Sequence, residues 1–265
     1  MILTSTKNPL IKLAYRLRNR REREKEQLTL LEGYRELTRA FDYGMIMKEC
    51  FYCPEMFLGK NELPLIEKLS AAGVHCSEVA SHLIEKISYR DRPEGLMAVA
   101  KIMRHSLDDI PLKTNGLYLI AEAVEKPGNL GAILRSADAA GVDGVIVCDK
   151  RTDIYNPNVI RASTGALFSV PLAEADTATT IDWLKANKIK SLAATPHTDK
   201  LYSDIDLTQS VAIIVGAEQY GLSDKWLNQA EINIKIPMLG KIDSLNVATA
   251  ATILLYEAAR QREWQ

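Results

Sequence analysis

Three loops, each directly after an apolar β-rich run, carry the residue types from which a small-molecule site can be built. Leu117–Val124 leads into Glu125-Lys126-Pro127-Gly128-Asn129-Leu130-Gly131, and Val211–Val215 leads into Gly216-Ala217-Glu218-Gln219-Tyr220-Gly221-Leu222. Ile232–Ile236 leads into Pro237-Met238-Leu239-Gly240-Lys241-Ile242-Asp243-Ser244-Leu245-Asn246. Glycine lets a ligand approach the backbone closely, while Asn, Glu and Ser supply the donors and acceptors that orient it. One such loop alone reads as turn chemistry. Three of them can converge on one crevice, because ligands of open α/β sheets bind beyond the carboxyl ends of the strands. The first loop lacks the G-x-G-x-x-G spacing and the chain has no Walker lysine motif, which disfavours a nicotinamide dehydrogenase.

The elements that must position these loops alternate. Beyond Gly116 the β-rich runs Leu117–Val124, Gly144–Cys148, Ser191–Ala194, Val211–Val215 and Ile232–Ile236 are separated by helical patterns around Leu130–Ala140, Asn158–Leu167, Thr180–Ala186 and Asp224–Gln229. This rhythm predicts a parallel sheet covered on both faces. A final helix is expected from about Leu245 to Arg262, its alanines suited to a dense internal or subunit contact. The first third mixes the two classes. A basic helix follows Asn8-Pro9, a second helix is expected around Leu31–Phe41, then strand Glu49–Tyr52, helix Leu63–Ala72, strand Val74–Cys76, a helix from about Glu78, and strand Gly95–Lys101. Residues 104–116 are polar and irregular and read as a linker, giving domains at 1–103 and 117–265.

With 265 residues, 47% hydrophobic and 25% charged, the chain has the composition of a soluble protein of one or two domains. Its longest apolar runs are too short to span a bilayer and its start lacks signal-peptide regions, so a cytoplasmic location with no membrane partner is expected. A net charge of −1 argues against a uniformly basic nucleic-acid coat. The positive charge is nonetheless concentrated near the start, where Arg16, Arg18, Arg20 and Arg21 form either a solvated helix face or a phosphate-binding surface. Cys50-Phe51-Tyr52-Cys53 has metal or redox spacing without a second Cys or His pair, and reads alternatively as two half-buried cysteines on a strand. Structural disulfides and a metal are not expected.

Three motifs in order carry a resemblance: Asn129-Leu130-Gly131-Ala132-Ile133-Leu134-Arg135; Gly216-Ala217-Glu218 with Gly221-Leu222; and Ile236-Pro237-Met238 through Ser244-Leu245-Asn246-Val247-Ala248. Over about Leu117 to Glu257 the chain resembles the SpoU (TrmH-like) branch of the SPOUT RNA methyltransferases. Asn8-Pro9-x-Ile11-Lys12 and Glu32-Gly33-x-Arg35-Glu36-Leu37 resemble that family's substrate-binding extension, a small α/β fold shared with certain ribosomal proteins. The resemblance implies a C-terminal parallel-sheet domain with a trefoil knot, a homodimer formed through that domain, and transfer of methyl from S-adenosylmethionine to a ribose 2′-hydroxyl without metal. It favours ribosomal over transfer RNA. Base methylation and a catalytically silent RNA-binding factor are the alternatives. Where the family often has Gly after the second motif's Glu, this chain has Gln219 followed by Tyr220, able to narrow the pocket mouth or to touch substrate.

The resemblance assigns catalysis to Arg135, Asn129, Glu218, Ser244 and Asn246. A guanidinium is a poor base, so Arg135 is expected to fix a phosphate and lower the hydroxyl pKa electrostatically. Asn129 and Asn246 suit orientation of ribose and donor, and Ser244 a substrate contact. The resemblance gives the adenosine of the donor to Gly216, Ile236 and Leu245, with Met238 and Thr195 beside them. His197 is a further candidate base. Arg161 is read as facing RNA or as a surface charge.

Overall fold

In the computed structural model, which describes residues 2–264, the chain forms two compact units. The first opens with α1 (Pro9–Arg16), whose Asn8 side chain accepts from Leu10 N at 2.8 Å while Pro9 occupies the first turn. Then come α2 (Arg20–Glu26), β1 (Leu28–Glu32), α3 (Tyr34–Asp42), β2 (Met47–Tyr52), α4 (Glu62–Ala71), β3 (His75–Glu78), α5 (Ser81–Ile87) and β4 (Leu96–Lys101). The sheet order is β1-β4-β2-β3; β4 is antiparallel to both neighbours and β2–β3 is parallel. Ile11, Leu17, Phe51, Leu83, Ile84 and Ile87 pack its core.

Two sequence expectations shift here. The helix expected at Leu31–Phe41 starts only at Tyr34, because Leu28-Thr29-Leu30-Leu31 is buried on both faces as a strand, a continuous apolar run that periodicity cannot tell from a helix. β3, expected at Val74–Cys76, runs from His75 to Glu78, so α5 starts three residues later than expected, at Ser81. Residues of the Glu32–Leu37 motif close around Arg90. Its Nη2 donates to Glu36 Oε1 at 2.9 Å and to the Glu32 carbonyl at 3.0 Å, and its Nη1 donates to Glu94. Gly33 has φ +103°, and an added Cβ would sit 2.6 Å from Glu36 Oε2. That motif is therefore built into the fold around one guanidinium.

The second part of the chain continues with β5 (Leu117–Glu122), α6 (Pro127–Ala139), β6 (Gly144–Cys148), α7 (Pro157–Ser163), α8 (Ala166–Ser169), β7 (Leu172–Ala175), α9 (Thr177–Ala186), β8 (Lys190–Ala194), β9 (Val211–Val215), α10 (Asp224–Gln229), β10 (Ile232–Ile234) and α11 (Val247–Gln261). Six strands pair in parallel in the order β10-β8-β9-β5-β6-β7, with residues such as Tyr118, Ile120, Ile146, Ile214 and Trp226 in the core. β7 carries little β-propensity in Leu-Ala-Glu-Ala and is the strand that patterning overlooked. The single helix expected at Asn158–Leu167 is broken by left-handed Thr164 and Gly165, with φ 51° and 89°. Residues Tyr155–Ser169 cluster with the first unit, whereas His105–Ile154 and Val170–Gln265 make up the second. Ile110, in the irregular stretch, is buried in the second unit's core.

β5 and β9 are neighbours at the sheet centre, so the loops after them lie side by side. The chain then runs out to β10 on the edge and returns in α11, which packs against α6 and β9. Ala248, Ala251, Ala258 and Ala259 are buried in α11, which allows close approach. Thr252 Oγ1 donates to the Ala248 carbonyl, so the Ser136 hydroxyl donates to Thr252 at 2.7 Å and ties α6 to α11.

Candidate active site

The loop after β9 is built as a closed turn. Ala217 and Gly221 exchange backbone hydrogen bonds of 3.0 and 2.9 Å, and Gly221 takes φ +67°. A Cβ on Gly216 would lie 2.3 Å from the Gly221 carbonyl carbon and 2.4 Å from Leu222 N, both backbone atoms, so only glycine fits. This turn aims Glu218 at the start of α6. Its carboxylate accepts from Asn129 Nδ2 at 2.6 Å, Glu125 N at 3.2 Å and Lys126 N at 3.3 Å, satisfying N–H groups that the helix leaves unpaired. Burial alone would raise the Glu218 pKa; the hydrogen bonds from Asn129 and the backbone outweigh it and hold the carboxyl below the usual value.

A carboxylate only accepts, and that fixes every orientation downstream. Asn129 must present its NH₂ to Glu218, so its Oδ1 is the acceptor for Asn246 Nδ2 at 3.1 Å. Asn246 Oδ1 in turn accepts from Ala248 N at 3.0 Å and caps α11. A one-way relay thus runs from Glu218 through Asn129 to Asn246, joining the three loops that the sequence singled out. Each amide spends one N–H in the relay and keeps one for a ligand.

The third loop supplies the complementary feature. Among the described residues, no hydrogen bond uses the backbone of Ile236–Leu245, although Ile236, Met238 and Leu245 are half-buried. Unpaired donors and acceptors flanked by apolar side chains suit a heteroaromatic ring bearing polar edges, such as adenine. Together with the Gly216 cradle this arrangement fits the adenosine of S-adenosylmethionine. No group of three or more His, Cys, Asp or Glu side chains that could hold a metal ion occurs among the described residues.

Other expected residues are not drawn into the relay. Arg135 lies on the exposed side of α6 and makes no hydrogen bond or ion pair among the described residues. Ser244 is exposed, and its Oγ donates to Asp243 Oδ1 at 3.2 Å. Thr195 is buried and its Oγ1 accepts from His197 N at 3.2 Å within its own turn, while His197 is exposed. Tyr220 is 77% exposed on the Glu218 turn. Arg161, also exposed, belongs to the first unit.

In the basic stretch, Arg16 faces Glu22 and Glu26 at 3.7 and 3.8 Å, and Arg20 pairs with Glu24 at 2.7 Å. Arg18 lies over the Tyr89 ring at 4.9 Å, and the Arg21 side chain makes no hydrogen bond, ion pair or ring contact among the described residues. The neighbouring Arg23 is buried and donates to the Leu17 and Arg18 carbonyls at 2.9 Å. Sequence reasoning missed Glu122. Buried at the end of β5, it accepts from Ser223 N at 2.8 Å, Ser223 Oγ at 2.6 Å and Thr177 Oγ1 at 3.1 Å, and so anchors the loop after Leu222. An acidic residue closing an apolar strand was its signal.

Comparison with known proteins places this geometry. Residues 116–256 match the SpoU rRNA Methylase family, and residues 8–98 match the MRM3-like substrate binding domain. The chain is 32% identical to the 23S rRNA (uridine(2479)-2′-O)-methyltransferase of Streptomyces viridochromogenes, over 93% of this chain and 87% of that one. It is 30% identical to the 23S rRNA (guanosine(2553)-2′-O)-methyltransferase of Bacillus subtilis (strain 168), over 96% and 97%. The crystal structure of an AdoMet-bound rRNA methyltransferase from Sinorhizobium meliloti superposes with a TM-score of 0.89 at 31% identity, covering 98% of this chain and 97% of that one. A family match over residues 116–256 together with relatives aligned along nearly the whole chain shows the family, and the chain belongs to the SpoU rRNA methylase family.

Proposed function

We propose that this protein methylates the 2′-hydroxyl of one ribose in ribosomal RNA, with S-adenosylmethionine as donor. The observation that carries the reading is the Glu218–Asn129–Asn246 relay beside the Gly216 cradle. The relatives' named activities on 23S rRNA support ribosomal over transfer RNA. When bound, the donor supplies an electrophilic methyl carbon on a sulfonium. Gly216, Ile236, Met238 and Leu245 hold its adenosine, with Thr195 shaping the adjacent turn. The spare amide N–H groups of Asn129 and Asn246 orient donor and ribose, and Ser244 meets the substrate. Arg135, without a hydrogen-bond or ion-pair partner among the described residues, holds an RNA phosphate and lowers the pKa of the attacking hydroxyl. Much of the rate then comes from holding oxygen, carbon and sulfur in line.

The same proposal covers recognition and assembly. Arg16, Arg18, Arg20 and Arg21, within a substrate-binding domain over 1–103 joined by 104–116 to the methyltransferase domain over 117–265, contact RNA backbone, and Arg161 does so as well. The protein works as a homodimer through the second unit, where exposed Tyr256 and Trp264 meet edge to face at 6.2 Å. The return of the chain from edge strand β10 to the sheet centre suits a trefoil knot. No helix among the described residues is long and apolar enough to cross a membrane. A ribosomal RNA substrate supports a cytoplasmic location. Mapping 2′-O-methyl sites in ribosomal RNA from a deletion strain, with and without the restored gene, tests the reading. One site lost and regained is expected; an unchanged map with a lost base methylation contradicts it.

A further inference from the structure

Cys50 and Cys53 have the spacing of a metal or redox pair, yet the fold separates them. Cys53 Sγ lies 3.6 Å from Glu55 Oε1, and Cys50 faces a cysteine that the motif did not include. β2 and β3 run parallel with Glu49 opposite His75 and Cys50 opposite Cys76, so both cysteines lie on the same face of adjacent strands. Cys76 Sγ donates to the Val74 carbonyl at 3.5 Å and the Ile66 carbonyl at 3.8 Å, and both cysteines are reduced. Adjacent strands lie about 4.8 Å apart, inside the Cα separation of about 4.4–6.8 Å that a disulfide spans. Cys50 is fully buried, whereas Cys76 sits half-buried on edge strand β3, within reach of a small reagent.

We propose that Cys50 and Cys76 form a reversible dithiol–disulfide pair whose oxidant is a low-molecular-weight disulfide such as oxidised glutathione. The Cys76 thiolate attacks one sulfur of the oxidant, whose S–S bond breaks, releasing one small thiolate and leaving a mixed disulfide on Cys76. Cys50 loses its proton to solvent and attacks the Cys76 sulfur; the second small thiolate leaves and both are protonated. Two protein thiols are thereby oxidised by two electrons and one small disulfide is reduced to two thiols. The order of events follows from the surroundings. The hydrogen bond from Cys50 lowers the Cys76 thiol against the effect of burial, and nearby His75 lowers it further. The same hydrogen bond, with burial, pushes Cys50 up, which suits a resolving rather than an attacking thiol. The product fastens the edge strand β3 to β2 and closes the intervening loop through α4.

Full-length protein is treated with oxidised glutathione at about pH 8, quenched in acid, denatured, alkylated and weighed. Two of the four cysteines should escape alkylation, one cross-linked peptide should join Cys50 to Cys76, and dithiothreitol should restore all four. Cys148, pushed up to about 12 mainly by burial, is the unreactive internal reference. Cys50→Ala should stop at glutathione on Cys76, and Cys76→Ser should leave Cys50 unmodified. Four alkylated cysteines in oxidised wild type, glutathione retained on its Cys76, or a cross-link through Cys53 or Cys148 would each overturn the proposal. The wild-type peptide map decides the matter even where a variant fails to fold.

Discussion

At the scale of single residues, Glu218 serves position more than proton transfer. Its carboxylate neutralises the start of α6 and dictates how both asparagines face, so Glu218→Gln removes a charge from a helix N-terminus and lets the relay reverse. The loss should destabilise the protein by about 1 kcal/mol near neutral pH, as for a helix cap. Because the folded pKa lies below the ordinary 4.5, this stabilisation is whole above that value and disappears as pH falls through the folded pKa. Urea denaturation of both proteins across that range checks the sign; a gap that widens in acid contradicts it. Gly216→Ala forces a methyl group against the Gly221 backbone, and calorimetry should show S-adenosylmethionine affinity lowered about tenfold or more. Arg135 makes no hydrogen bond or ion pair among the described residues, so Arg135→Ala should leave stability and donor affinity unchanged. Its single-turnover rate should fall by about 10²–10³, and Arg135→Lys, lacking the planar fork, should recover little of it. Wild-type rates in Arg135→Ala would remove Arg135 from catalysis.

At the scale of elements, the first unit depends on Arg90, which is surrounded by Glu32, Glu36 and Glu94 with only 14% of its side chain exposed. Burial already raises the Glu36 pKa, with Arg90 pulling the other way. Arg90→Met strands those carboxylates and should cost about 3 kcal/mol near neutral pH. A carboxyl raised in the folded state binds more protons there, so the cost should shrink as pH falls; thermal melts at several pH values measure it. The elements also show what sequence carries. Val211–Val215 and Gly144–Cys148 were legible to the residue, because buried parallel strands are continuous β-branched runs bounded by turns. β1 was lost inside a leucine-rich stretch, and β7 in Leu-Ala-Glu-Ala. The Glu218–Asn129–Asn246 relay was legible only as three separate motifs, since hydrogen bonds across 89 and 117 residues leave no periodicity. Cys50 and Cys76 were hidden for the same reason: register, not spacing, pairs them.

At the scale of the whole molecule, a net charge of −1 must coexist with RNA binding, so affinity has to come from local clusters. Among the described residues Arg16 is held by long surface ion pairs and Arg21 by none, and such pairs contribute little. Replacing both with Gln should weaken RNA binding and flatten its salt dependence by roughly 0.7–0.9 log units per lost phosphate contact, with donor affinity unchanged. An unaltered slope in filter-binding titrations returns this stretch to a solvated face. The central claim is that three loops, joined by one relay, deliver methyl to a ribose oxygen. It is tested most directly by incubating the purified protein with ribosomal RNA and methyl-labelled S-adenosylmethionine, then hydrolysing the RNA in alkali. A 2′-O-methyl group removes the nucleophile that cleaves the adjoining phosphodiester, so the label should remain in an alkali-resistant dinucleotide, and Asn246→Ala should abolish it. Label released in a mononucleotide would mean methylation of a base and would contradict the account.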